Sequence, residues 1–232
     1  PSVIRFPKGA VSADIPAFER RDGIDVLYRG ESADVLLISV GAMATMSVEA
    51  ASQAYREGVG VTVIDPRWVK PLPKSLITMA DRYKSVVVVE DGIAHGGIAS
   101  ALSEMFRSAG LDTPIHSIGV PLTFIEHSKR SEILNDLGIT SQNIAREIVE
   151  WTLEASGWGK LSALEQQHWI DAQPAFETAH FLHGFGHADG RFHFDPDWSS
   201  LGPARFGPGL APPSLPDYWP VIEEATATHP FR

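Results

Sequence analysis

The chain has 232 residues and a mass of 25.2 kDa, with 44% apolar and 21% charged residues. It contains no cysteine, which excludes disulfides, thiolate metal sites and a cysteine nucleophile. The net charge of −10 argues against nucleic-acid binding, because an acidic surface repels phosphate backbones. No apolar run reaches the roughly 18 residues of a membrane span, so we expect a cytoplasmic protein without a membrane partner. The first residue is Pro1, so we expect a piece of a longer protein or a processed product.

The composition changes near residue 153, which predicts a boundary between two parts of the chain. Nine of the 17 prolines and six of the nine histidines follow residue 152, although this second part is the shorter one. Segments rich in proline and aromatic residues, without periodicity, usually become ordered only against another surface. We therefore expect a folded domain over residues 1–152 and an irregular tail over residues 153–232.

The first part alternates strand-like and helix-like patterns along the chain. The predicted strands cover residues 34–40, 61–64, 85–89 and 114–120, and the predicted helices cover 47–57, 74–83, 98–108 and 141–151. Continuous apolar strands that alternate with helices indicate an α/β fold with a small, mostly parallel sheet and flanking helices on both faces. In the tail, only residues 161–170 have a helical pattern.

The first candidate site is the segment Ile4–Gly9, which predicts a short strand followed by a turn. It carries Arg5 and Lys8, and two cations at a strand end can bind a phosphate group, arginine through its bidentate fork. The alternative interpretation is that both cations are solvated surface residues.

The second candidate site is the loop that follows the strand at residues 85–89. It contains Glu90, Asp91 and His95, followed by Gly96 and Gly97. In an open α/β sheet, sites form at the carboxyl ends of strands, and two acids, a histidine and a flexible Gly-Gly pair make this loop the strongest catalytic candidate of the chain. The alternative is that the glycines only form the turn and that the histidine is solvated.

Two other patterns favour a structural interpretation. The segment Gly41–Thr45 precedes a helix but lacks the glycine signatures of phosphate-binding loops, so we interpret it as a tight turn. In the tail, imidazoles and carboxylates that could ligate a metal come from His180, His183, His187, His193, Asp189 and Asp195. Glycines at 184 and 186 interrupt any helix there, so we favour a polar aromatic loop and predict no metal site. The chain also lacks the G-x-S-x-G elbow that would anchor a hydrolase triad.

Four motifs of the first part carry a family resemblance. They are Ile4–Gly9 (IRFPKG), Asp65–Leu72 (DPRWVKPL), Val88–Gly92 (VVEDG) with the later Gly96 and Gly97, and Ile118–Pro121 (IGVP) with Phe124–His127 (FIEH). In order and spacing they resemble the C-terminal domain of the 1-deoxy-D-xylulose-5-phosphate synthases, which are thiamine-diphosphate enzymes of the transketolase superfamily.

The resemblance implies part of a transferase that joins pyruvate to glyceraldehyde 3-phosphate, with loss of carbon dioxide, for isoprenoid precursor synthesis. In that family thiamine diphosphate and Mg²⁺ lie mainly on the N-terminal and middle domains, which this chain lacks. The resemblance therefore implies that the chain binds no cofactor alone, has no catalytic residue and is inactive by itself. It implies a domain that supports a homodimer, with Arg5, and secondarily Lys8, directed at the substrate phosphate.

The tail resembles a different family. Its motifs are Phe176–Phe181, Asp189–Phe194, Leu215–Pro220 and His229–Arg232, and they are similar to a segment of molybdopterin-dependent oxidoreductases. That resemblance implies no activity, because the segment contains neither the metal ligand nor any cysteine. Three alternatives remain open: a non-catalytic dimerisation or interaction module in a fused or chimeric chain, a molybdopterin oxidoreductase fragment, and an enzyme that acts with a cofactor-bearing partner chain.

Overall fold

The computed structural model describes residues 13–171, 173, 175–186 and 189–192. Contacts between Cα atoms divide the chain into two compact units, residues 1–170 and 171–232. The strand predicted at residues 4–6 lies outside the described residues, and the boundary predicted after residue 152 stays a prediction. In the described part, no helix has the length and apolar character needed to cross a membrane.

The first unit is built on a six-stranded sheet in the order β1-β2-β4-β3-β5-β6. The strands are β1 (Glu19–Arg21), β2 (Ile24–Tyr28), β3 (Val35–Val40), β4 (Val61–Asp65), β5 (Ser85–Ile93) and β6 (Ile115–Val120). Strands β4, β3, β5 and β6 are mutually parallel, whereas β1 and β2 are antiparallel to their neighbours. The predicted α/β class with a mostly parallel sheet is confirmed, and the antiparallel pair β1–β2 is an addition that the sequence patterns did not predict.

Helices follow most of the parallel strands. They are α1 (Ala44–Arg56), α2 (Ser75–Ala80), α3 (Ile98–Ser108), α4 (Arg130–Asp136), α5 (Ser141–Ala155) and α6 (Leu161–Gln167). The predicted bounds of α3 agree with the structure, while α2 is shorter than predicted and α4 was not predicted. Thr140 begins α5 by accepting a hydrogen bond from the Asn143 N–H group at 3.2 Å, which satisfies one free donor at the start of the helix.

The core lies on both faces of the sheet because alternate residues of each buried strand point in opposite directions. On β3, Val35 and Leu37 contribute to a cluster with α1 and α5, whereas Leu36 and Ile38 contribute to a second cluster with α2 and α3. These four side chains are buried almost completely. A sheet buried on both faces explains why β3, β4 and β5 have continuous apolar sequences instead of alternating ones.

In the second unit, the described residues form one short helix, α7 (Phe176–Ala179), and an aromatic cluster. The rings of Phe176 and His180 stack at 4.0 Å between centroids. Phe185 stacks on Phe181 at 4.6 Å and meets Phe192 edge-on at 5.3 Å. Aromatic side chains are therefore the main packing groups in this described part.

Candidate functional site

The loop between β5 and α3 lies at the carboxyl edge of the parallel strands. Strand β5 continues four residues past its predicted end, to Ile93, and its pairing with β6 is irregular between Val89 and Ile93. Beyond this irregularity Ile93 lies opposite Val120, and the Ala94 N–H group donates to the Val120 carbonyl at 2.9 Å. Two strand ends therefore hold the loop that the sequence singled out.

Glu90 has a structural role at the start of α3. Its side chain is buried, and its Oε1 atom accepts hydrogen bonds from the Ile98 N–H group at 2.9 Å and the Ala99 N–H group at 3.4 Å. A carboxylate at a helix N-terminus satisfies free N–H donors and interacts favourably with the helix dipole. This arrangement gives Glu90 the function of a helix cap contributed by the preceding strand.

Gly97 allows this cap to form. A Cβ atom at position 97 would lie 2.4 Å from both the Glu90 Oε1 atom and the Ile93 carbonyl oxygen. At Gly92 a Cβ atom would lie 2.9 Å from Glu90 Oε2. The close approach of the carboxylate to the main chain therefore requires glycine at position 97 and favours it at position 92.

Asp91 points to a different partner. Its Oδ2 atom lies 3.0 Å from the Nη2 atom of Arg130, the first residue of α4. The same Nη2 atom lies 3.7 Å from the sulfur of Met43, which is buried next to the start of α1. Arg130 thus joins the end of β5 to the start of α4, and both ionic side chains are partly exposed to solvent.

Asp91 and Arg130 line a wide cleft of about 1610 Å³, whereas His95 does not. The cleft also contacts residues 40–42 before α1 and residues 139–142 at the start of α5. His95 is exposed and lines a separate depression of about 460 Å³ beside α3. His95 therefore lines a different depression from Glu90 and Asp91, and a shared site of these three residues stays a prediction.

The motif that begins at Asp65 forms a second charged cluster at the same edge. The Arg67 N–H group donates to Asp65 Oδ1 at 2.7 Å, and Arg67 adopts a left-handed backbone conformation with φ of 55°. The Arg67 side chain then reaches Asp25 on β2, with Nη1 3.3 Å from Oδ2. Arg20 on β1 also binds Asp25, through Nη2 at 3.1 Å and through Nε.

Opposite electrostatic effects act on the two carboxylates of this cluster, which lie across from each other on β2 and β4. The hydrogen bond from Arg20 holds the pKa of Asp25 below its usual value, assisted by the charges of Arg20 and Arg67. Burial raises the pKa of Asp65, and the neighbouring Asp25 charge raises it further. The positive charges of Arg20 and Arg67 therefore compensate these carboxylates, and the contacts connect β1, β2 and β4 with the turn that follows β4.

Large apolar side chains are exposed around these loops. Trp68, Leu122 and Phe124 expose 70%, 77% and 94% of their surface, respectively. Trp68 follows β4, and the other two follow β6. Since the strands are about 4.8 Å apart, these loops begin roughly 14 Å from each other along one edge of the sheet. We call Trp68, Leu122 and Phe124 the carboxyl-edge surface.

Several predicted site residues lie outside the described residues. They are Arg5, Lys8, His187, His193 and Asp195. Of the other tail histidines, His180 places its Nδ1 atom 2.9 Å from the Phe176 carbonyl oxygen, and His183 is exposed. Over the parts of the chain that the structure describes, no three His, Asp or Glu side chains are grouped so that they could hold a metal ion.

Two features of the site were missed by the sequence patterns. One is Arg130, whose partner Asp91 lies 39 positions earlier, and the other is the Arg20–Asp25 pair on β1 and β2. The only local signal for the second was a carboxylate inside the apolar segment Ile24–Tyr28, since a buried acid normally has a cationic partner.

Comparison with known proteins identifies relatives of this chain. A model of the family "Transketolase, C-terminal domain" matches residues 25–144. The 1-deoxy-D-xylulose-5-phosphate synthase of Mycobacteroides abscessus is 46% identical over 159 residues, which cover 67% of this chain and 25% of the relative. The synthase of Mycolicibacterium gilvum is 49% identical over 154 residues, covering 65% and 24%. That of Rhodococcus jostii is 44% identical over 181 residues, covering 75% and 27%.

These curated relatives are much longer than the chain, which spans about a quarter of their length. Among solved structures, a split-gene transketolase described as an inactive β4 tetramer has a TM-score of 0.53 and 26% identity. The match covers 62% of this chain and 47% of that one. The mixed sheet with its flanking helices and the family model that matches more than half of the sequence agree, so the chain belongs to the transketolase C-terminal domain family.

Proposed function

We propose that the chain is the C-terminal part of a 1-deoxy-D-xylulose-5-phosphate synthase. The observation that carries this proposal is the 44–49% identity to proteins of that name, which exceeds the 26% identity to the split-gene transketolase. The complete enzyme would condense pyruvate with glyceraldehyde 3-phosphate and release carbon dioxide. This chain would serve it as a supporting domain and would be inactive alone.

In this proposal thiamine diphosphate and Mg²⁺ belong to the part of the synthase that this chain does not contain. The described residues do not fit the metal, because the buried carboxylate of Glu90 is engaged by the start of α3 and Asp91 is engaged by Arg130. That the chain alone binds no cofactor remains a prediction.

The proposed role of Arg5, assisted by Lys8, is to bind the phosphate of the aldehyde substrate. The support is the Ile4–Gly9 motif and the chemistry of a guanidinium fork, which fits phosphate oxygens in a bidentate manner. A phosphate contact remote from the reacting carbon positions the substrate without taking part in the bond changes.

The carboxyl-edge surface supports contacts with other polypeptide. Three large apolar side chains exposed along one edge of the sheet are the observation that supports an interface there. The loop of residues 66–74 around Trp68 carries Lys70 and Lys74 and no carboxylate, and its Arg67 is already paired with Asp25. We therefore propose that the missing domains of the synthase cover this surface with an apolar and acidic face.

Self-association is the second part of the proposed role. The split-gene transketolase that resembles this chain is described as an inactive tetramer of β chains. By analogy, we propose that this chain forms homodimers or larger assemblies and remains inactive until the rest of the synthase is present. A purely non-catalytic interaction module is the second candidate function, and the exposed carboxyl-edge surface is the observation that favours it.

The first part of the tail also matches a synthase. The match to the Rhodococcus jostii synthase covers 75% of the chain, more than residues 1–152 can supply, so it extends past residue 152. We propose that the tail begins as a continuation of the synthase sequence. The resemblance of residues 153–232 to molybdopterin oxidoreductases, and hence a chimeric chain, stays a prediction.

A hybrid enzyme tests the proposed function. Residues 1–152 would replace the matched 154-residue stretch of the Mycolicibacterium gilvum synthase. We expect the hybrid to form product from pyruvate and glyceraldehyde 3-phosphate, whereas the 232-residue chain alone forms none. A hybrid that is folded and binds thiamine diphosphate but forms no product would contradict the synthase assignment.

Variants of the hybrid test the phosphate site. Arg5→Ala should raise the KM for glyceraldehyde 3-phosphate at least tenfold and leave the KM for pyruvate nearly unchanged, because about 1.5–3 kcal/mol of charge-assisted hydrogen bonding is lost. Arg107→Ala, an exposed arginine on α3, is the matched control and should change neither value. Equal KM values for Arg5→Ala and the control would remove Arg5 from the phosphate site.

A further inference from the structure

The two edges of the sheet differ in chemistry. One edge is β1, which has only three residues, Glu19–Arg21, all charged and all exposed. The other edge is β6, Ile115–Val120, which has six residues with neither a charge nor a proline. Natural proteins usually protect an edge strand with charges, proline or a very short length, because its unpaired backbone groups attract other strands. Strand β1 has this protection and β6 lacks it.

The backbone groups that β6 directs outward can be identified from its pairing with β5. The Val86 N–H group donates to the Pro114 carbonyl at 2.8 Å, and the Ala94 N–H group donates to the Val120 carbonyl at 2.9 Å. Since the direction of backbone groups alternates along a strand, even-numbered residues of β6 face β5. Ile115, Ser117 and Gly119 therefore face away from the sheet, and no described residue bonds their outward groups.

The side chains of β6 fit an antiparallel copy of the same strand. With a two-fold axis at Ser117, Ile115 would lie opposite Gly119 of the second copy, so a large side chain meets a position without one. Ser117 would lie opposite itself, and about six backbone hydrogen bonds would form, because each outward residue supplies one donor and one acceptor. No like charges would oppose each other across the pair.

We propose that β6 is the edge through which a second copy of this chain pairs, forming one continuous sheet across a two-fold axis. The inference deepens the self-association proposed above, rests on it, and assigns it to three outward-facing residues. It is independent of the carboxyl-edge surface, since backbone pairing at β6 uses the side edge of the sheet and leaves the strand ends accessible.

The test uses the complete 232-residue chain and measures its mass by sedimentation equilibrium over a range of concentrations. Ser117→Pro removes an outward N–H group from each copy and leaves the hydrogen bonds to β5 intact, because proline is tolerated on an unpaired edge. It should weaken association at least tenfold, since two symmetry-related bonds are lost. Ser117→Thr keeps the N–H group and favours strand conformation, so it should change the dissociation constant less than about threefold.

A second variant keeps the test informative if Ser117→Pro disturbs the fold. Ser117→Lys retains every backbone donor but places two lysines directly opposite each other, which destabilises the pair. Association should weaken in this variant as well, and salt should restore part of it by screening the charges.

Amide hydrogen exchange measured by NMR shows directly whether the edge is used. In the proposed pair, the N–H groups of Ile115, Ser117 and Gly119 exchange slowly at high concentration and quickly at low concentration. A constant dimer mass with rapidly exchanging amides at these positions would overturn the edge assignment and leave self-association intact. A monomer at all concentrations would overturn both, whereas the activity of the hybrid synthase would be unaffected by either result.

Discussion

Replacing the buried carboxylate of Glu90 by an amide provides the sharpest test of its role. In Glu90→Gln the side chain keeps its size, but one of the two oxygens that face the Ile98 and Ala99 N–H groups becomes an NH₂ donor. About one charge-assisted hydrogen bond is lost, worth roughly 1.5–3 kcal/mol, together with the interaction of the charge with the dipole of α3. We expect the free energy of unfolding to fall by about 2 kcal/mol.

The assay is urea denaturation followed by far-ultraviolet circular dichroism, with the m-value checked for constancy. Glu104→Gln makes the same chemical change at an exposed position of α3 and should alter stability by less than about 0.5 kcal/mol. A Glu90→Gln variant as stable as this control would refute the capping role. If that variant also reduced turnover in the hybrid synthase, Glu90 would be a catalytic candidate after all.

Three further changes follow from the geometry. Gly97→Ala should destabilise the chain by at least about 2 kcal/mol, because the new Cβ atom would lie 2.4 Å from two oxygens, whereas Gly186→Ala, with nothing within 4 Å, should be neutral in the same denaturation experiment. Burial lowers the pKa of His116, so stability should decline as the pH falls below about 6.5, and His116→Gln should remove this decline from the pH profile of unfolding. Arg20 lowers the pKa of Asp25, so its stabilisation is present above about pH 4 and lost as the pH falls through the lower folded value. Asp25→Asn should therefore be less stable than the parent chain at pH 7 and lose less stability on acidification; a parallel pH profile would contradict this.

The parts of the fold predicted from sequence are those in which local pattern and tertiary environment agree. Strand β3 and helix α3 are examples. The continuous apolar run of β3 indicates a strand buried on both faces, and the amphipathic period of α3 indicates a helix buried on one face. Strand β1 escaped prediction because its three residues are all charged, so its formation depends on pairing with β2. Helix α4 escaped because only two of its seven residues, Ile133 and Leu134, are apolar, so it has no amphipathic period.

The candidate site shows the same limit. The sequence placed Glu90 in the loop after a strand, whereas the structure has it inside β5, and its role depends on N–H groups eight and nine positions later. The path of the intervening loop decides whether these N–H groups come within hydrogen-bond distance of the Glu90 carboxylate. The pairing of Asp91 with Arg130 crosses 39 positions and had no local pattern at all. The sequence pattern therefore shows where charged side chains such as Glu90 and Asp91 lie along the chain, but it does not show which residues they bind.

The charged strand β1 also determines how far the sheet can grow. A sheet in which both edge strands can pair adds further copies indefinitely and forms fibres. A sheet in which only one edge strand can pair stops at a dimer. Because Glu19–Arg21 makes the far edge short and ionic, the pairing proposed at β6 would be complete after one partner. The difference between the two edges thus allows two copies to pair and prevents further copies from adding to the sheet.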